Sequence, residues 1–176
     1  MNEIMILNFI QEHFRTALGD QVMVFITHLG DKGLVWLALA IVLLFFPKWR
    51  KAGFTLLFAL LFELLIANVT LKPLVARIRP FELNPGVDLL IPPPEDFSFP
   101  SGHTGASFAA IFALGFRRCK LWIPALLLGC LIAYSRMYIY VHFPSDILGG
   151  VLSGLVSALL GWAVTNQIQK RRNPVL

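Results

Sequence analysis

The sequence predicts an all-α integral membrane helix bundle, about five transmembrane helices plus an N-terminal interfacial helical region. Three observations point there. Hydrophobic residues make up 57% of the 176 and the mean hydropathy is +0.72, too apolar for a soluble domain of this length. Apolar runs of spanning length recur through to the C-terminal end. Basic residues gather in three connections that contain no Asp or Glu.

Residues 1–30 give no clean span. Ile4, Leu7, Ile10, Phe14, Ala17 and Leu18 recur at helical spacing while Glu3, Gln11, Glu12 and Arg15 take the opposite face, the pattern of a helix lying in the membrane interface. Asp20 is the candidate cap of a second short helix, Val22 to Leu29, stopped by Gly30; a re-entrant hairpin beside the bundle is the alternative. Spans follow at roughly 33–47, 52–71, 102–117, 121–141 and 145–168, the first and third of them short. The expected organisation is one domain, 1–176, with the interfacial helices in 1–30 and the bundle over 31–170.

The three basic connections are Lys48, Arg50 and Lys51, then Arg117, Arg118 and Lys120, then Lys170, Arg171 and Arg172. Positive charge of this kind stays cytoplasmic, which puts the N-terminal region, the 72–101 loop and the 136–145 connection on the outer face. The net charge of +5 is then a signal of topology and not of nucleic acid. Cys119 and Cys130 fall at different depths and lack metal-ligand spacing, so neither a disulfide nor a metal site is expected of them.

Six basic residues remain. Arg15 and Lys32 read as flanking charges, but Lys72, Arg77, Arg79 and Arg136 lie at the outer surface against the topological bias and need compensation. Lys72 ends the second span and Arg79 follows seven residues on, with Pro73 and Pro80 shaping the segment. Together with Arg136, these cations suit a compact dianion. Ser101 is a good N-cap for the third span, and Gly102 leaves the first-turn N–H groups accessible to an anion. His103 then stands beside a bound phosphate.

His142 precedes Asp146 by four residues. The two meet across one helical turn or, since Pro144 favours a fresh start, across a new helix N-terminus; in both cases the carboxylate holds one ring nitrogen and leaves the other nucleophilic. Each residue alone has an ordinary role as a snorkeller, cap or packing group, and the conjunction is what points to phosphate chemistry. Mid-span Glu63 reads as a carboxyl hydrogen-bonded inside the bundle. In the proline-stiffened loop from Phe81 to Phe99, the irregular spacing of Glu82, Asp88, Glu95 and Asp96 suits a solvated outer loop better than a metal site, and Phe97 and Phe99 flank the mouth.

K-P-L-V-A-R-I-R-P (72–80), P-S-G-H (100–103) and S-R-x5-H-x3-D (135–146) stand in order over about 75 residues. They resemble the three motifs of the type 2 phosphatidic acid phosphatase family of membrane lipid phosphatases. The resemblance implies an all-α bundle and hydrolysis of a phosphate ester or pyrophosphate without metal or other cofactor. His142 would be the nucleophile forming a phosphohistidine, Asp146 would orient it, and His103 would protonate the leaving oxygen and then activate water. Lys72, Arg79, Ser101, Gly102 and Arg136 would hold the phosphoryl oxygens.

The expected partner is therefore a lipid phosphate or pyrophosphate in the cell membrane of a bacterium, met at the outer face. Small bacterial relatives include undecaprenyl pyrophosphate phosphatases, which recycle the cell-wall carrier lipid and confer bacitracin resistance. Phosphatidylglycerol phosphate and phosphatidic acid are alternative substrates. Transfer of the phosphoryl group to a second lipid is an alternative reaction, and a channel or transporter is the non-enzymatic one.

Overall fold

The computed structural model describes residues 3–172, with the side chain of Arg172, one of the third basic group, outside the described set. Among the described residues the chain is helical with no strand: α1 (Glu3–Phe14), α2 (Ala17–Leu29), a 3-10 turn (Asp31–Gly33), α3 (Leu34–Phe45), α4 (Arg50–Glu63), a π-helical stretch (Leu64–Leu71), α5 (Lys72–Val75), α6 (Pro80–Leu83), α7 (Gly102–Phe116), α8 (Trp122–Tyr138) and α9 (Pro144–Arg172).

The central helix is α7, packed on α8, α9 and α4. It buries small residues, Gly105, Ala109, Ala110 and Ala113; Gly150 and Gly154 of α9 press against it, while Gly161 of the same helix lies against Thr55 and Ala59 of α4. Lipid removes the hydrophobic drive between membrane helices, so close backbone approach supplies the contact energy. A Cβ on Gly154 would stand 2.7 Å from the Gly105 carbonyl oxygen and 2.8 Å from the Ala109 nitrogen. Mid-bundle, Glu63 is buried and accepts hydrogen bonds from Ser153 (2.7 Å) and Ser157 (2.8 Å), tying α4 to α9.

The helices lie close to the expected span boundaries but differ in reach. The runs Arg50–Leu83 and Pro144–Arg171 are long and apolar enough to cross a membrane, and α2 with α3, bent by 41°, makes a third if counted as one span. At 15 and 17 residues, α7 and α8 rise only about 22–26 Å against roughly 30 Å of hydrocarbon. Both carry polar machinery at the same end: α7 begins at Ser101 and His103, and α8 finishes beside Arg136.

Two N-terminal helices form, with corrections to their boundary and cap: the first ends at Phe14, and Ala17 and Leu18 open the second instead of closing the first. Thr16 and not Asp20 caps α2, its hydroxyl accepting from the Gly19 N–H at 3.0 Å, because Asp20 lies inside the first turn and accepts from Tyr138 (2.9 Å) and Arg15 (3.3 Å). Gly30 ends the helix as the sequence indicates. Leu7 and Ile10 bury the inner face of α1 against Tyr138, Tyr140 and Phe143. That face covers the connection between α8 and α9.

Gly154→Ala should lower the thermal midpoint in detergent, with a cost of about 1–3 kcal/mol for forcing a methyl against backbone. Gly115→Ala on the same helix pair, where a Cβ meets nothing within 4 Å, should leave it unchanged or slightly raised.

Candidate active site

After α8 the chain turns through Tyr140, whose φ of +61° is uncommon for a residue with a side chain. The Arg136 carbonyl accepts from the N–H groups of Val141 (3.1 Å) and His142 (3.3 Å), which folds the turn back on the helix end. His142 is left 1% exposed. Pro144 then opens α9 at its first position, and Asp146, two residues on, reaches back to accept from the Phe143 N–H at 2.8 Å. Of the two geometries open from the sequence, the fresh helix start is the one formed.

Asp146 is fully buried. Its Oδ2 also accepts from the Ser98 hydroxyl at 2.5 Å, and its Oδ1 accepts from Arg77 at 2.7 Å. The Nδ1 of His142 lies 3.4 Å from Oδ2, in electrostatic contact but with no hydrogen bond among the described residues. On the other side of the ring, Nε2 lies 3.4 Å from an Arg79 Nη1. Burial first, then the positive charges of Arg136, Arg79 and Lys72, hold the imidazole well below its ordinary pKa. His142 is a neutral ring with a lone pair available near pH 7.

The cations arrive from separate elements. Arg79, 2% exposed, donates to the carbonyls of Val141 (2.7 Å) and Asp96 (2.8 Å) and to the Asp96 carboxylate (2.5 Å). Lys72, delivered by the π-helical stretch, pairs with the other oxygen of Asp96. Arg136 donates to Thr27 of α2 at 2.6 Å, while its Nε is buried with no partner among the described residues. Ser101 caps α7, its hydroxyl accepting from the Thr104 N–H at 3.4 Å and from the Thr104 hydroxyl at 3.0 Å.

Lys72, Arg79, Gly102, His103, Arg136 and His142 line one cavity of about 220 Å³, together with Asp31 and Asp96. Ser101 and Asp146 are fully buried behind it. All eight residues singled out in the sequence therefore meet at one end of α7. A larger groove of about 680 Å³ joins Lys72, Gly102 and His103 to Leu37 of α3, to Leu57, Leu60 and Leu61 of α4 and to Leu64 at the start of the π-helical stretch.

Several partners escape sequence reasoning. Asp96 does not behave as a free loop carboxylate: burial acts to raise its pKa, but Lys72 and Arg79 outweigh that and bring it down to about 2. Arg77, marked only as a charge needing compensation, bridges Asp146, Glu3 of α1 (2.6 Å) and the Phe143 ring (3.9 Å). Asp31 accepts from or bonds to His103 Nε2 at 3.0 Å and Thr27 holds Arg136. Their signal was the topological misfit of Arg77 and Arg136, whose counter-groups had to exist somewhere. No group of three or more His, Cys, Asp or Glu suited to a metal occurs among the described residues.

With this geometry in view, a family profile described as the PAP2 superfamily matches residues 52–171. An undecaprenyl-diphosphatase of Sulfolobus acidocaldarius is 35% identical over 139 residues, 78% of this chain and 66% of that protein, so the chain spans slightly under two thirds of it. Undecaprenyl-diphosphatase BcrC of Bacillus subtilis is 34% identical over 152 residues, 84% of this chain and 75% of that one. Among solved structures, Aquifex aeolicus LpxE superposes with a TM-score of 0.77 at 29% identity, covering 90% of this chain and 93% of its own.

Asp96 occupies the hydrogen-bonding directions of Lys72 and Arg79 that an incoming anion would use. Asp96→Asn should therefore bind orthophosphate more tightly than the parent, by about tenfold, or roughly 1.4 kcal/mol, in calorimetric titration. The ratio should be the same at pH 5 and pH 8, because a carboxyl held at about 2 is ionised at both.

Proposed function

From the premise that the chain belongs to the PAP2 superfamily and is a membrane lipid phosphatase of that family, we propose that it hydrolyses a polyprenyl diphosphate, undecaprenyl diphosphate, to the monophosphate. The observation that carries the mechanism is His142, a buried ring between Asp146 and Arg79, with three cations and a second histidine lining the same cavity.

In this reading Nε2 of His142 attacks the terminal phosphorus and the bond from that phosphorus to the bridging oxygen breaks. His103 gives its proton to the departing oxygen of the lipid monophosphate. Water then attacks the phosphohistidine, His103 takes a proton from it, the N–P bond breaks, and inorganic phosphate leaves with His142 restored. Lys72, Arg79, Arg136 and the N–H groups behind Ser101 and Gly102 stabilise the charge on the equatorial oxygens, which is most of what phosphoryl transfer asks of a protein. Asp146 stabilises the positive charge that His142 acquires.

The tail preference rests on the leucine-lined groove, which leaves the cavity along α3 and α4 and suits a long apolar chain, and on the names of the two relatives. The three carboxylate-free basic connections favour an outer-face site, since they lie at the end of the bundle opposite His103 and His142.

Purified protein in EDTA should release phosphate from undecaprenyl diphosphate faster than from phosphatidylglycerol phosphate or phosphatidic acid. His142→Ala should release none, and Asp146→Asn should be slowed by about 10²–10⁴-fold. Near-parental release by His142→Ala would remove it as nucleophile, while a faster rate on either phospholipid would replace the substrate and leave the mechanism standing.

A further inference from the structure

The turn between α2 and α3 belongs to none of the three motifs, yet it is built against His103. Gly30 is where the ring passes closest: a Cβ there would meet His103 Cδ2 at 2.7 Å. Lys32 and Gly33 follow with φ of +52° and +67°, so two successive residues hold the left-handed region, one of them with a side chain that disfavours it. Strain of this kind persists where surrounding contacts over-determine it. Here those contacts fix Asp31, whose Oδ1 lies 3.0 Å from Nε2 of His103 and whose Oδ2 lies 2.8 Å from Nδ1 of His28, one helical turn back.

We infer that Asp31 is the positioning residue of His103, and that the site contains two carboxylate–histidine pairs of opposite sense. Asp146 faces Nδ1 of His142 and leaves Nε2 for phosphorus; Asp31 holds Nε2 of His103 and leaves Nδ1 for the leaving oxygen. A carboxylate on one ring nitrogen sets the tautomer and supports the protonated ring. His103 needs that support because Arg136, Lys72 and Arg79 line the same cavity and oppose a further positive charge. His28 holds the second carboxylate oxygen and so fixes the plane in which Asp31 meets the ring. The strained turn keeps the three groups in register.

This inference rests on His103 acting as the general acid, and the test separates the two. kcat/KM, which reports the steps through phosphohistidine formation, is measured in detergent for a series of phosphate monoesters running from 2,4-dinitrophenyl to alkyl. A leaving group that is itself a weak base needs no proton, so loss of the acid costs little on the first and much on the last. His103→Ala should show that gradient; a uniform loss in His103→Ala would overturn the general-acid reading and the Asp31 inference with it.

Given the gradient in His103→Ala, Asp31→Asn should show the same trend at smaller amplitude, about tenfold or more on the alkyl ester and within about threefold on the dinitrophenyl ester, below the 10²–10⁴-fold range of a full acid. Asp31→Glu, which keeps the charge, should recover part of the alkyl rate, and a thermal melt of each variant identifies any that fails to fold. Equal loss on both esters in a folded Asp31→Asn, with no recovery in Asp31→Glu, would reduce Asp31 to a structural residue and overturn the inference.

Discussion

Asp146 is a carboxylate with no exposure to solvent, and a charge out of water is tolerated only where hydrogen bonds and opposite charge replace hydration. Its donors come from three places in the chain. Arg77 lies beyond α5, Ser98 precedes α7, and the Phe143 N–H stands at the head of α9. Satisfying this one group therefore draws together the segments that bear Arg79, Ser101 and His142. Removing a partner from such a node is more damaging than the bond alone suggests, because a buried charge is left uncompensated.

Around that node the protein concentrates positive charge, which by itself repels. Lys72, Arg79 and Arg136 are held by the Asp96 carboxylate, by the carbonyls of Asp96 and Val141, and by the Thr27 hydroxyl. Their positions are thus set by contacts within the protein, and donors fixed in this way suit charge stabilisation. The buried Nε of Arg136 has no hydrogen-bond partner among the described residues. Asp96 balances Lys72 and Arg79 from the loop that precedes α7.

The N-terminal helices help to build the site. On α1, Glu3 accepts from Arg77 and from the Ser145 N–H, and Asn8 accepts from the Tyr140 hydroxyl. On α2, Tyr138 is engaged through Asp20 and Arg136 through Thr27. A strap of this kind holds the turn that carries His142 from the side that the bundle does not cover. The small residues where α7 meets α9 serve the same end from below, since only close backbone contact keeps His103 and Asp146 on helices of fixed separation.

The helical class and the approximate helix boundaries were legible in the sequence, and so were the eight residues that the fold brings to one end of α7. Hydropathy registers what each stretch of chain requires of its solvent, and phosphate chemistry requires a few residue types at short spacing. Gly30 as a helix stop and Pro144 as a start were equally readable, being local backbone constraints. The cap at Thr16 was missed in favour of Asp20 because both are good cap residues and tertiary bonds to Tyr138 and Arg15 decided between them. The counter-charges were not readable at all. Asp31 meets His103 across 72 positions, Asp96 meets Arg79 across 17 and Glu3 meets Arg77 across 74. Pairing at such separations follows from how the helices pack, so the sequence by itself determined which groups are candidates for the chemistry, and only the tertiary structure decided which groups hold them.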